Sequence, residues 1–130
     1  MKRIILTTLT IILLTGCGNK IVCKTKDGDV SENYTITYKE NEITSIENEK
    51  KYKFDNKDEF NSFEKIIKKM TTQNKNENID VSYKKKNKKY ILTQKYDIKN
   101  IEEETLKKYG LSKNKEELIN NLKNNGLTCK

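Results

Sequence analysis

Histidine, proline, tryptophan and alanine are all absent from this chain of 130 residues. Without histidine the chain lacks the one side chain that ordinarily titrates near neutrality, and with it the commonest general acid–base group and metal ligand. Long apolar runs are missing too. The longest, Ile4 to Leu14, is broken by Thr7, Thr8 and Thr10 and is well short of the roughly 20 residues a membrane span needs. Hydrophobic residues make up 33% of the chain against 35% charged, a balance that favours disorder unless the apolar residues are well placed. They are well placed, recurring with clear periods, and each one fully buried contributes about 1.5–3 kcal/mol. A folded domain of modest stability is expected. Lys, Asn, Ile and Glu fill the space left by the missing types, a bias towards A/T-rich codons that accounts for part of the charge without invoking a partner.

The amino terminus has a defined layout. Lys2 and Arg3 precede the apolar run, which closes on Leu14-Thr15-Gly16-Cys17. A basic start, a short apolar core and a small residue before the cleavage point make a secretory signal, and the order aliphatic, small, Gly, Cys resembles a bacterial lipobox. The resemblance implies cleavage after residue 16 and a diacylglyceryl group on Cys17, which anchors the protein to the extracytoplasmic face of the cell membrane. Two acyl chains hold firmly where one is marginal, at about 0.8 kcal/mol per buried CH₂. The expected organisation is a signal peptide over 1–16, a lipidated amino terminus and short tether over 17–22, and one domain over 23–130. Cleavage removes two of the 27 basic residues and none of the 19 acidic ones, so the mature chain stays basic.

With Cys17 assigned to lipid, Cys23 and Cys129 form an even pair in a compartment that permits disulfides. A bond between them closes a loop of about 100 residues, for which the chain-entropy model gives about 4–5 kcal/mol. Two buried free thiols are the alternative. A metal site is weaker still, because two sulfurs without histidine fall short of four ligands. No cofactor is implied.

Along the chain, Lys26–Asn33 reads as a loop through Asp27-Gly28-Asp29. Tyr34, Ile36 and Tyr38 alternate with Thr35 and Thr37 as a strand, and Ile43 to Phe54 follows as its hairpin partner. Asn56 with Glu59 makes a capping box, opening a helix from about 57 to 70 through Phe60, Phe63, Ile66, Ile67 and Met70. Thr71 to Glu77 reads as a polar linker. Ile79, Val81 and Tyr83, then Tyr90, Leu92 and Tyr96, predict a second hairpin, with Lys84, Lys85, Lys86, Lys88 and Lys89 at its tip. A short helix stopped by Gly110 and a last helix from Asn114 to Gly126 follow, and Leu127 to Lys130 returns extended, carrying Cys129 towards its partner. The expected fold is α+β, an antiparallel sheet of about four strands from two β-hairpins with two to three helices on one face.

The lipobox at Cys17, the early Cys23, the segment Tyr34-Thr35-Ile36-Thr37-Tyr38-Lys39-Glu40-Asn41-Glu42-Ile43 and the ending Asn125-Gly126-Leu127-Thr128-Cys129-Lys130 together resemble the YehR-like small bacterial lipoproteins. The resemblance spans most of the mature chain. It implies an α+β lipoprotein domain on the cell surface and carries no catalytic residue.

No other pattern points to catalysis, and the chain reads as non-enzymatic. Glu102, Glu103 and Glu104 are consecutive, so a helix turns them in different directions. They suit a helix start. Asp27, Asp29 and Glu32 lack the later ligands of a calcium loop. The lysine tip, flanked by Tyr83 and Tyr90, is the one local feature with a ligand in prospect: anionic lipid, at roughly 1 kcal/mol per lysine near the membrane surface, or an anionic wall polymer. Nucleic acid satisfies the charge, but an extracytoplasmic anchor separates it from the domain. The competing reading is a soluble tip that protects the sheet from edge pairing.

Overall fold

The computed structural model of the protein describes residues 19–130. The signal segment and Cys17 lie outside the described residues. Six strands form one antiparallel sheet: β1 (Asn19–Asp27), β2 (Val30–Lys39), β3 (Glu42–Lys53), β4 (Ile79–Lys86), β5 (Lys89–Tyr96) and β6 (Thr128–Cys129). Their order across the sheet is β4-β5-β3-β2-β1-β6. Helix α1 (Lys57–Lys75) lies between β3 and β4, and α2 (Glu103–Lys108) and α3 (Lys115–Asn124) between β5 and β6.

The α+β class is therefore present, but about four strands from two hairpins is incorrect. Among the described residues the sheet has six strands and carries three helices. The missing pair is β1 and β6. Residues 19–22, expected as tether, already belong to β1, and Asp27-Gly28-Asp29 is a tight hairpin turn that pairs Asp27 with Val30. Gly28 supplies the left-handed φ of 58° that this turn needs. β1 resists recognition because its inward positions are Ile21, Cys23 and Thr25, a weak apolar set, and the apolar Val22 between them breaks the alternation. β6 has only two residues and gains its place from the Cys23–Cys129 disulfide. Those two cysteines face each other across the β1–β6 pair with Cα atoms 4.0 Å apart. Backbone bonds of 3.0 Å in both directions between Val22 and Lys130 extend the match.

Inward residues from neighbouring strands fall into cross-strand rows. Ile21, Ile36, Ile46, Tyr96 and Ile79 form one such row, and Cys23, Tyr34, Asn48, Gln94 and Val81 the next. The helices cover this face alone. Ile67 of α1 and Leu106, Leu118 and Leu122 of α2 and α3 join the strand residues in one core. At the sheet end of α1, Phe54, Phe60, Phe63 and Tyr90 make an aromatic cluster with centroids 4.6–6.3 Å apart, within the range where tilted and edge contacts are favourable.

Helix α1 starts where Asn56 predicts. The Asn56 side chain accepts hydrogen bonds from Asp58 N at 2.7 Å and Glu59 N at 3.3 Å. It does not stop at Met70, because Thr71 and Thr72 bond back to the carbonyls of Ile67 and Lys68 and Asn74 is buried. The Asn74 Oδ1 lies 2.9 Å from the Tyr109 hydroxyl, which is also 2.8 Å from Glu77 Oε1. The segment expected as a linker is thus a packed helix end.

The strand directions define two poles. Asn19, the β2–β3 turn and the ends of β5 and α1 lie at one, where Ile43 N bonds Lys113 O and Lys115 N bonds Asn41 O. The turns at Gly28–Asp29 and Asn87–Lys88 lie at the other. Cys23 is mid-strand, so the disulfide ties the carboxyl terminus to the edge of the sheet rather than to the pole where β1 begins.

Two outcomes follow. Replacing both Cys23 and Cys129 by Ser, or reducing the bond, should lower the urea-derived unfolding free energy by about 3–5 kcal/mol, with β6 lost first; an unchanged midpoint contradicts the clamp. The second concerns the buried phenols. Burial raises the pKa of Tyr34 and Tyr96 well above 10.0, with the Glu32 carboxylate and Tyr109 as the next causes respectively. Burial and the hydrogen bond to Glu77 raise Tyr109 to about 12. A raised folded pKa favours the neutral form, so this stability is complete below about pH 10 and is lost as pH climbs towards the folded values. Thermal melts should fall steeply between about pH 10 and 12, and less steeply for Tyr96→Phe; equal slopes contradict the assignment.

Candidate functional site

The lysine-rich hairpin does not end in a five-lysine tip. β4 runs on to Lys86 and β5 begins at Lys89, so only Asn87 and Lys88 form the turn. Both have positive φ, 51° and 61°, as a primed two-residue hairpin turn requires. Because strand positions alternate, the lysines part company. Lys85 turns to the helix side, where its Nζ is 3.1 Å from both Glu64 carboxylate oxygens. Tyr83 donates to the same carboxylate at 2.9 Å, and together these hold the Glu64 pKa below the usual carboxylate value and raise that of Lys85. Lys88 donates to the Asp55 carbonyl at 3.3 Å. Lys84, Lys86 and Lys89 point the other way.

That other way is the face of the sheet that no helix of the described residues covers. Its side chains are polar almost throughout, and none is buried. The register orders them into rows. At the pole far from Asn19, Lys86, Lys89 and Lys53 lie side by side on β4, β5 and β3. The next row is Lys84, Ile91, Lys51, Ser31 and Lys26, crossing from β4 to β1. These two rows hold six lysines and no carboxylate. Acidic residues enter only further down: Glu49 in the third row, separated from Lys24 by Asn33, then Asp80 and Glu47 beside Lys95. Asp29 and Asp55 sit in turns at the rim.

Among the described residues only Lys51 of the six makes an ion pair, with Glu49 at 3.7 Å. Both partners are well exposed, so the pair contributes little. Three shallow depressions mark the face. One of about 550 Å³ is lined by Lys24, Lys26 and Lys51 together with the carboxylates Glu32 and Glu49 and the neutral Ser31. Smaller ones of about 280 and 270 Å³ share Lys84 and Ile91 near the β4 edge. A fourth, of about 620 Å³, lies at the opposite pole between the β2–β3 turn and α2–α3, with Lys99, Lys107 and Lys113 set among Glu42, Glu103 and Glu117. Its mixed charge and apolar floor favour no ligand of one sign.

The other residues singled out from the sequence take structural places. Glu102 is the N-cap position of α2, with Glu103 and Glu104 in its first turn. Asp27 and Asp29 flank the β1–β2 turn, while Glu32 is a strand residue whose carboxylate meets Lys50 at 3.8 Å and accepts from Asn48 at 3.3 Å. No group of three acidic or cysteine side chains is arranged to hold a metal among the described residues. Sequence reasoning missed Lys26, Lys51 and Lys53 as members of a basic surface. The signal was the strand alternation, but joining β1, β3 and β4 needs the strand order and register.

No protein-family model and no curated protein sequence matches the chain. Among solved structures, the fold is similar to one described as "NMR structure of the protein from Streptococcus pneumoniae TIGR4", with a TM-score of 0.55 and 16% sequence identity over 85% of this chain and 83% of that one. At that identity the likeness concerns the fold.

Proposed function

We propose that the chain is an extracytoplasmic lipoprotein, anchored to the cell membrane through lipid on Cys17, that acts without catalysis by presenting its uncovered sheet face to a component of the envelope. In this reading it keeps company with the YehR-like lipoproteins. One observation carries it: among the described residues no helix lies over one entire face of the six-stranded sheet. An antiparallel sheet can face water on one side, but here lysines and acids are segregated along that side.

The poles favour a polymer over lipid as the anionic target. Only Gly18 separates Cys17 from β1, so the lipid attaches at the Asn19 pole. The Asn87–Lys88 turn is at the far end of an eight-residue strand, roughly 25 Å away at about 3.3 Å per residue. That exceeds the Debye length of about 8 Å at physiological salt. A lysine field pointing away from the headgroups meets wall material instead.

The reading predicts the reactivity of individual lysines. In acylation of intact cells compared with the purified full chain, Lys26, Lys51, Lys84 and Lys89 should be protected at least threefold, while Lys65, Lys68 and Lys69 on the outer side of α1 react equally. A palmitate analogue should label the wild type and not Cys17→Ser. Uniform lysine reactivity removes the binding face, and label retained by Cys17→Ser removes the anchor.

A further inference from the structure

We propose that the two distal rows form a binding site for an extended polyphosphate-like polyanion, a chain bearing phosphate groups at short intervals and no bases. The inference rests on the open face being the contact surface and names its ligand class. Lys26, Lys51, Lys53, Lys84, Lys86 and Lys89 are all exposed. The longer row crosses five strands and spans about 19 Å at about 4.8 Å per strand. A single phosphate reaches one or two of these ammonium groups, whereas a linear polyanion lying across the strands meets both rows at once. Each contact displaces a condensed counterion, so affinity accumulates with the number of charges engaged.

The chemistry of the surface narrows the class. All six cations are lysines, point charges on flexible stems, and no arginine fork offers bidentate recognition of a fixed carboxylate geometry. The uncharged members of the rows are Ser31 and Ile91. No aromatic ring faces outward here, since Tyr52, Tyr83 and Tyr90 all occupy inward positions. Single-stranded nucleic acids are held by base stacking on aromatic platforms in addition to charge, and this face has none. Composition alone does not explain the segregation, because the lower rows of the same face mix Glu47, Glu49 and Asp80 with their lysines.

The test uses the full chain in neutral detergent and long-chain inorganic polyphosphate as the probe, titrated between 50 and 200 mM salt. The wild type should bind, with log affinity falling linearly in log salt. The triple variant Lys26→Gln, Lys51→Gln, Lys84→Gln should weaken binding more than about tenfold and flatten the salt slope by about 2, at roughly 0.7 per lost contact as for other single-stranded polyanions. The triple Lys65→Gln, Lys68→Gln, Lys69→Gln removes the same charge from α1 and should change affinity less than threefold. Equal weakening by both triples, no binding by the wild type at 50 mM salt, or tighter binding to phosphatidylglycerol vesicles or to single-stranded DNA each overturns the proposal. Protection in cells without polyphosphate binding would discard this ligand and retain the face; binding without protection would discard the face as the working surface.

Discussion

The structure depends on the alternation of side chains across one twisted sheet. In each long strand every second residue faces the helices, and cross-strand pairing aligns those residues into continuous apolar rows such as Ile21-Ile36-Ile46-Tyr96-Ile79. A one-residue slip would carry a strand's apolar set to the solvent side. So charged a chain can build a core because, among the described residues, nearly all the hydrophobic side chains are spent on this single interface. The three helices of the described residues then have only one surface on which to bury their own apolar stripes, and none of them covers the opposite face. The disulfide secures the weakest part, a two-residue β6 that could not hold the edge of β1 by pairing alone.

What was legible in the chain followed from periods that are complete within one element. Phe60, Phe63, Ile67 and Met70 identify α1, although Ile66, read as part of the same face, is 59% exposed; Tyr34-Thr35-Ile36-Thr37 identifies β2, and Asn56 and Asn114 both cap helices with their side chains. The disulfide was legible from the parity of Cys23 and Cys129 once Cys17 is set aside as the lipobox residue. β1 was hidden because an inward Cys and Thr make a weak apolar pattern, and the end of α1 because Asn74 is a polar residue buried by a tertiary contact with Tyr109. A partner 35 residues away leaves no local trace.

The basic surface shows the same limit more sharply. Five lysines crowded within six positions look like one cluster, yet alternation and a two-residue turn send Lys85 to Glu64, Lys88 to a backbone carbonyl and the other three to the open face. Sequence proximity overstated the tip, and sequence distance concealed Lys26, Lys51 and Lys53 as its real neighbours. Charge in this protein is organised by sheet register, at the pole remote from the start of β1.

The one-sided sheet is tested most directly by two adjacent residues of β2. Ile36 faces the helices with 0% exposure, and Thr35 faces the open side. Unfolding in urea should show Ile36→Ala costing about 2–5 kcal/mol, as for other buried large-to-small changes, and Thr35→Ala costing under about 1 kcal/mol. Similar costs at the two positions would mean that both faces are buried, and the account of the open face would fail.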